Sequence, residues 1–560
     1  METTNNEICR ALAELSVAQG VRHAVLSPGS RNAPLLVAFA RETAISHYVV
    51  IDERVAAFMA VGMAARLQEP VVLVCTSGTA LLNYAPAVAE AYYRHVPLIV
   101  ISADRPDEWI DQDDSQTIRQ RGIFAPFVKS SYHLPVDAGD ELNMWYATRM
   151  INEAMLAAGA STPGPVHINV PLREPLCGTA GYTPGKYRKM QMMRPARQLA
   201  AADLSALTTE FARHDKIMVF ASLASPSADF QAALSRLAVL SQVIVLTESV
   251  ANVHDAQFIP TVDRVLTAID NSEKPGYAPS LLITVGGAPI SRMAKVFLRR
   301  YAPAVHWRIG GEQHIIDTMQ SLTCQIDADP AWLLEQLAQS PSCDSGYAAL
   351  WKTREAEAGH LHDNFVQAAP WCALKAFSIL LPSLPEGVSL HLSNGTSVRY
   401  AQLFDTPQVA RTYSNRGVSG IDGSTSTALG SACVDEGTTL LITGDMSFAY
   451  DAGGLATGYA MPRFKIVVLC NGGGGIFRFI KGPSDLPELE ECFEVKRRIP
   501  VEGYAALHGF RFFKAASTEE LREFLPHFWA EEKQPALLAI ETDGVTDAAV
   551  LRAYMRRARS

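Results

Sequence analysis

The stretch 444–477, GDMSFAYDAGGLATGYAMPRFKIVVLCNGGGGIF, constrains this chain more than any other. The apolar run 439–443 predicts a strand ending at Gly444-Asp445, a small-residue helix follows, and a second apolar strand, 465–470, ends at Asn471. Asp445 and Asn471 are 26 positions apart, about one strand–helix–strand crossover, so an acid and an amide emerge side by side at the carboxyl edge of a parallel sheet. Oxygen ligands there, next to the glycines at 472–475, suit a hard divalent cation that carries a diphosphate. Asp445 as a mere helix cap would account for the acid but not for the glycine run.

At 560 residues the chain exceeds what one core supports, and three domains are expected. Apolar strands at 23–27, 47–51, 71–76, 97–103 and 165–171 alternate with helical patterns at 33–43, 53–67 and 79–94. A Pro- and Gly-rich passage, 178–195, reads as a linker. A second run has strands at 216–221, 242–247, 280–285 and 305–310, and its VGGAPIS turn lacks the full dinucleotide fingerprint. The last part returns to the first scheme, with strands at 388–392, 439–443, 465–470 and 536–541. The fold class is therefore α/β, with domains at 1–180, 196–340 and 347–560, each a mostly parallel sheet with helices on both faces and the outer two alike.

The net charge of −9 argues against nucleic acid or an anionic membrane as partner. No apolar run reaches membrane-spanning length. The nine cysteines form no CxxC pair and are expected to be reduced, as in a cytoplasmic protein. The His360-x-His362 pair is not expected to bind metal, because i and i+2 face apart on a helix.

Glu53 stands where an apolar strand turns into a long apolar helix, so it is expected near a buried surface, where desolvation favours proton sharing. A helix N-terminal Glu that merely complements the dipole is the other reading. Together with Asp445 and Asn471, Glu53 fits a thiamine-diphosphate site. Arg31, Arg105 and Arg399 each follow a predicted strand and Arg416 sits in a Gly/Ser-rich loop beyond Tyr413, positions at strand carboxyl ends, where open α/β sheets bind ligands and guanidinium forks hold carboxylates. Taken singly, each could be an ordinary ion-pair partner, as Arg105 would be beside Asp104 or Asp107.

The motifs SPGSRNAPL at 27–35, DERVAAFMAVG at 52–62, TSGTALLNYAPAVAEAYY at 76–93, SADRP at 102–106, YSNRGVSGIDG at 413–423 and GDMS at 444–447 together resemble one family. It is the 2-succinyl-5-enolpyruvyl-6-hydroxy-3-cyclohexene-1-carboxylate synthases of menaquinone biosynthesis, within the thiamine-diphosphate superfamily. The resemblance covers the outer domains and is weak in the middle. It implies a thiamine-diphosphate-binding fold with pyrimidine, middle and diphosphate domains. The implied cofactors are thiamine diphosphate and Mg²⁺, with Mn²⁺ an option.

The implied reaction decarboxylates 2-oxoglutarate and adds the succinyl-semialdehyde unit to isochorismate by conjugate addition. Resemblance assigns Glu53 to the aminopyrimidine, Ser30, Arg31, Arg105 and Gln116 to isochorismate, and Arg399 and Arg416 to the 2-oxoglutarate-derived part. It assigns Asp445, Asn471 and the Gly473 carbonyl to the metal, with Gly444, Met446, Ser447, Ile421, Ile476 and Phe477 around the cofactor. Arg31, Arg399 and Arg416 count with Glu53 as catalytic in this assignment. A homo-oligomer, dimer or tetramer, is implied, with Glu53 of one subunit meeting the diphosphate edge of another.

Two departures from the family's pattern stand out. Asp113-Asp114-Ser115 replaces the usual residues before Gln116, and Asn394-Gly395 replaces an Asn-Ser pair, leaving Thr396 or Ser397 to supply a hydroxyl. A different thiamine-diphosphate 2-oxoacid decarboxylase or carboligase, or a non-catalytic binding module on the same fold, are the alternatives.

Overall fold

The computed structural model describes residues 2–311, 314–343, 345–530 and 533–556. Its framework is three six-stranded sheets. The first runs Ser46–Val49, His23–Leu26, Val71–Cys75, Leu98–Asp104, Val166–Pro171, Ser131–His133 from edge to edge. The last runs Val409–Tyr413, Val388–Leu392, Thr439–Gly444, Phe464–Cys470, Ala536–Glu541, Arg511–Ala515. With strands numbered in chain order within each sheet, both read 2-1-3-4-6-5. The middle sheet, from Phe258–Ile259 to Cys324–Ile326, reads 3-2-1-4-5-6 instead. The outer pair is alike and the middle sheet is wound differently, as the sequence pattern implied.

The central strands are apolar because both of their faces are covered. Val71–Cys75, Leu98–Asp104, Val243–Thr247 and Leu281–Val285 are buried at every position. Every strand expected from an apolar run forms, with ends within two residues of the expected ones. The short strands that the pattern does not announce lie mostly at sheet edges, among them Ser131–His133 and Cys324–Ile326.

The expected helix 79–94 is two helices, Thr79–Asn83 and Ala85–Tyr93, because Pro86 cannot donate to the turn before it. The linker passage opens with a strand of its own: Thr179–Gly181 pairs antiparallel with Glu2–Thr4. In the helix Tyr347–Ala368, His362 is buried and its Nδ1 lies 2.7 Å from the Tyr554 hydroxyl.

The chain forms two compact units: residues 2–194 with 417–439 and 450–464, and residues 195–416 with 440–449 and 465–556. Segment 417–439 joins the first unit chiefly by packing one helix against another, with Glu90 and the Arg66–Asp435 pair adding polar ties. The helix Glu53–Leu67 is buried at every position from Val55 to Ala65, and Ser424–Cys433 is buried from Ser424 to Ala432. A Cβ on Gly62 would sit 1.9 Å from the Thr427 carbonyl oxygen, and one on Gly430 would sit 2.0 Å from that of Met59. The two backbones touch, which only glycine permits. Among the described residues, no single helix is long and apolar enough to cross a membrane.

Candidate functional site

In the first unit, the carboxyl edge of the first sheet gathers Arg31 and Arg105. Arg31 is 5% exposed; its guanidinium donates to the Leu172 carbonyl and to Glu174 Oε1, both at 3.1 Å. Arg105 pairs with Asp114 at 3.0 Å and approaches the same Glu174 oxygen at 3.8 Å. Neither Asp104 nor Asp107 is the Arg105 side chain's partner: Asp104 accepts from its backbone N–H instead, at 2.8 Å. Ser30 is exposed beside Arg31, and Gln116 is exposed with a left-handed φ of 55°.

Glu53 is half-buried at the first position of its helix, behind the N-cap Asp52, whose carboxylate accepts from Val55 N–H at 3.2 Å. Burial pushes the Cys75 thiol and Tyr84 hydroxyl upward, and the Glu53 charge adds to both, after Cys75 itself in the case of Tyr84. The loop carrying Ile421, itself 42% exposed, is fastened by Glu90, which accepts from Gly417 N–H at 2.8 Å and Val418 N–H at 2.7 Å.

The second unit holds Arg399 and Arg416. Arg416 is 7% exposed and donates to Asn394 Oδ1 at 2.8 Å, while Asn394 Nδ2 donates to the Asn415 carbonyl at 2.6 Å. Arg399 donates to the Gly395 carbonyl. Burial lowers the Arg399 pKa, as do the charges of Arg416 and Arg292, while Asp263 opposes them. Lys295 is held low by burial and by Arg416, Arg299 and Arg399, against Glu248. This is a cluster of like charges with two buried acids behind it. The Ser397 hydroxyl is buried against Ser393 at 3.5 Å, so Thr396 is the more open of the two hydroxyls.

Also in the second unit, Gly444 ends its strand and Asp445 starts the helix Asp445–Tyr450 directly. Asp445 is 2% exposed; its two oxygens accept from Met446 N–H at 2.8 Å and Gly472 N–H at 3.0 Å. Burial pushes its carboxyl up to about 6 against these donors. Ser447 is buried behind it. Asn471 follows the end of the neighbouring strand and is half-buried, while the Asp547 carboxylate accepts from Ala373 N–H and the Thr542 hydroxyl, both at 2.7 Å. Of the two ends of the Asn471 amide, only the oxygen is an acceptor able to serve a cation.

Gly473 has φ 148°, and a Cβ there would meet the Glu494 carbonyl oxygen at 2.5 Å. Its own carbonyl accepts from Gly475 N–H at 2.9 Å and keeps a second lone pair. Ile476 and Phe477 open the short helix Ile476–Phe479, half-buried, with the Phe477 ring 5.7 Å from that of Phe493.

A cavity of about 920 Å³ opens at this edge, lined by Asp445, Asn471 and Gly472 and by Lys496, Arg497 and Arg498. Among the described residues, no group of three or more His, Cys, Asp or Glu is arranged for a metal. A cation here would depend on one carboxylate, an amide oxygen, a backbone carbonyl and the diphosphate, a hard-oxygen set that fits Mg²⁺. The residues present thus fit the expected group.

Sequence reasoning missed Glu174, which two arginines share, Asn394 as the partner of Arg416, and the basic run 496–498. Glu174 lies just past the sixth strand of the first sheet, so the carboxyl-edge rule applied to every strand would have found it. The predicted residues fall in both units: Ser30, Arg31, Glu53, Arg105, Gln116 and Ile421 in the first, the rest in the second.

The sequence model of the family described as "Thiamine pyrophosphate enzyme, N-terminal TPP binding domain" matches residues 7–123. A 2-succinyl-5-enolpyruvyl-6-hydroxy-3-cyclohexene-1-carboxylate synthase of Porphyromonas gingivalis is 44% identical, covering 97% of this chain and 96% of that relative. Enzymes of the same name from Christiangramia forsetii and Desulfotalea psychrophila are 36% and 37% identical, covering 100% and 95% of this chain and 100% and 97% of each relative. With alignments that span 95% or more of this chain, the middle sheet included, the chain belongs to the 2-succinyl-5-enolpyruvyl-6-hydroxy-3-cyclohexene-1-carboxylate synthase family.

Proposed function

We propose that the chain decarboxylates 2-oxoglutarate and joins the resulting four-carbon unit to isochorismate, as a thiamine-diphosphate- and Mg²⁺-dependent step of menaquinone biosynthesis. The observation that carries the reading is the Asp445–Asn471 pair on adjacent strand ends, within a chain of this family. Bound thiamine diphosphate supplies the carbanion stabilisation that 2-oxoacid decarboxylation needs.

The chain's own residues would do the rest. Asp445, the Asn471 amide oxygen and the Gly473 carbonyl would hold Mg²⁺, or Mn²⁺, and with it the diphosphate, beside Gly444, Met446 and Ser447. Glu53 would hold a proton at a pyrimidine nitrogen, and Ile421, Ile476 and Phe477 would wall the ring and exclude water. Arg399 and Arg416 would take the carboxylates of 2-oxoglutarate; Arg31, Arg105, Ser30 and Gln116 would take isochorismate. Holding both anions in place makes their union effectively unimolecular.

The chain-order division into 1–180, 196–340 and 347–560 is supported by one sheet falling in each segment. A homo-oligomeric active form is part of the reading, and so is a cytoplasmic setting without nucleic acid or membrane. The nine cysteines, all free of disulfides, support that setting.

The test is product detection by mass spectrometry from 2-oxoglutarate plus isochorismate, with cofactor and metal omitted in turn. Glu53→Gln should lower turnover by about 100-fold or more while cofactor binding persists. Turnover by Glu53→Gln at the wild-type rate would end the assignment.

A further inference from the structure

Asn169, on the strand Val166–Pro171, is 1% exposed and fills all of its hydrogen-bonding positions. Its Oδ1 accepts from Ser102 Oγ at 2.8 Å and from Gln120 Nε2 at 2.9 Å. Its Nδ2 donates to Asp104 Oδ2 at 2.7 Å and to His133 Nδ1 at 3.0 Å. A flipped amide would oppose oxygen to the Asp104 carboxylate and NH₂ to the Gln120 donor, so its orientation is fixed. Roles then propagate outward. His133 Nδ1 must accept, which puts its proton on Nε2, facing Asp107 at 3.3 Å. Ser102 Oγ, having donated to Asn169, accepts from His167 Nε2 at 2.8 Å. Burial keeps both imidazoles neutral, holding His133 below its usual range and His167 down at about 3.

Two of the four partners, Asp104 and Gln120, bracket one surface segment. Asp104 also accepts from Arg105 N–H at 2.8 Å. Gln120, itself 1% exposed, donates from Nε2 to the Ala103 carbonyl at 2.9 Å and accepts at Oε1 from Gly78 N–H at 2.8 Å. Between these anchors, Asp111, Asp113 and Gln116 sit at φ 61°, 56° and 55°, a left-handed region uncommon for non-glycine residues that Asp enters more readily than Gln. The Gln116 backbone lies against Gly78, where a Cβ would meet it at 3.2 Å. One buried amide thus clasps both ends of the segment that carries Arg105 and Gln116.

We propose that Asn169, acting with Gln120, is a positioning residue for the isochorismate half of the reaction, presenting Arg105 and Gln116 by fastening the two ends of segment 104–120. The proposal rests on the functional reading above, which gives Arg105 and Gln116 to isochorismate. Neither Asn169 nor Gln120 touches the substrate in this role.

The test uses the full-length, cofactor-loaded enzyme and steady-state kinetics for each substrate. Asn169→Asp keeps acceptors for Ser102 and Gln120 but turns a carboxylate oxygen toward Asp104 and removes the donor to His133. Gln120→Glu keeps the acceptor for Gly78 and loses both donors. Each variant should raise KM for isochorismate about tenfold or more. KM for 2-oxoglutarate and CO₂ release from 2-oxoglutarate alone should stay within about twofold. Ser102→Ala removes a bond to the same amide without touching the segment, so it should lower Tm and leave both KM values in place.

Equal rises in both KM values, or a rise in KM for isochorismate in Ser102→Ala matching that in Asn169→Asp, would overturn the role. If Asn169→Asp does not fold, Gln120→Glu decides alone by the same criterion. A wild-type enzyme that releases CO₂ but forms no adduct with isochorismate overturns the functional reading, and this role with it, before any variant is made.

Discussion

The first and last sheets share a strand order, yet their carboxyl edges are furnished in opposite ways. At the first edge the polar groups are spent on one another. Asn169 uses its four hydrogen bonds within the protein, and Arg31 and Arg105 both lean on Glu174. At the last edge they are held in reserve. Asp445 accepts only from backbone N–H groups, and a Cβ on Gly444 or Gly472 would meet nothing within 4 Å. The arginines differ in the same sense: Arg399 and Arg416 stand among like charges. Shared topology therefore fixes where a ligand can sit, while the balance of satisfied and unsatisfied polar groups fixes what it can be. An edge whose side chains bond one another orients a substrate, and one whose buried carboxylate meets only backbone N–H groups has oxygen lone pairs to offer a metal and its diphosphate.

The sharpest way to break this contrast is at Asp445. Asp445→Asn keeps the shape and the acceptor for Met446 but removes the charge. Titration calorimetry with thiamine diphosphate and Mg²⁺ should show binding weakened by about 100-fold, and turnover should fall at least as far. Cofactor binding at wild-type strength in Asp445→Asn would mean the last edge is no more open than the first.

The arginines allow the next test. Arg399→Gln should raise KM for 2-oxoglutarate by about 10- to 100-fold, the scale of one or two lost charge-assisted hydrogen bonds, with KM for isochorismate little changed. Arg31→Gln should do the reverse. It should also lower Tm, because the buried Leu172 carbonyl loses its donor, whereas Arg399→Gln relieves repulsion from Arg416 and Arg292. A shift of both KM values by either variant would erase the division of labour between the two edges.

How much of this was legible in the sequence follows from what each feature depends on. Buried parallel strands such as Val71–Cys75 and Leu281–Val285 need apolar residues on both faces and so declare themselves. The Asp445–Asn471 pair was legible because a crossover has a nearly fixed length. Edge strands such as Arg511–Ala515 carry mixed patterns, since only part of their surface is covered, and gave no signal. The partners of Arg105 are not legible in the sequence: Asp104 and Asp107 lie nearest along the chain, while Asp114 of its own loop and Glu174 beyond the strand Val166–Pro171 meet the guanidinium. Asn169 lies inside an ordinary apolar strand, and its importance depends on four side chains that only the fold brings together.

The smallest expected effect concerns Asp104, which links the buried amide to Arg105. Burial raises its carboxyl from an ordinary 3.8 to about 6, against the donors Asn169 and Arg105 N–H. The charged neighbours facing it are Asp107, which raises it further, and Arg121, which lowers it, while His133 lies across Asn169. For an acid raised in this way, the folded protein takes up its proton before the unfolded chain does. This group's contribution to stability therefore grows as pH falls from about 6 toward 3.8, and diminishes as pH rises through that window.

Function should move the other way. A protonated Asp104 is a weaker acceptor for Arg105 N–H, so KM for isochorismate should rise by about two- to fivefold as pH drops below 6, with KM for 2-oxoglutarate flat. In Asp104→Asn the isochorismate KM should already be raised at neutral pH and lose its dependence on pH. A wild-type profile unchanged by Asp104→Asn would assign any acid limb to another group and leave the first edge without a titrating member.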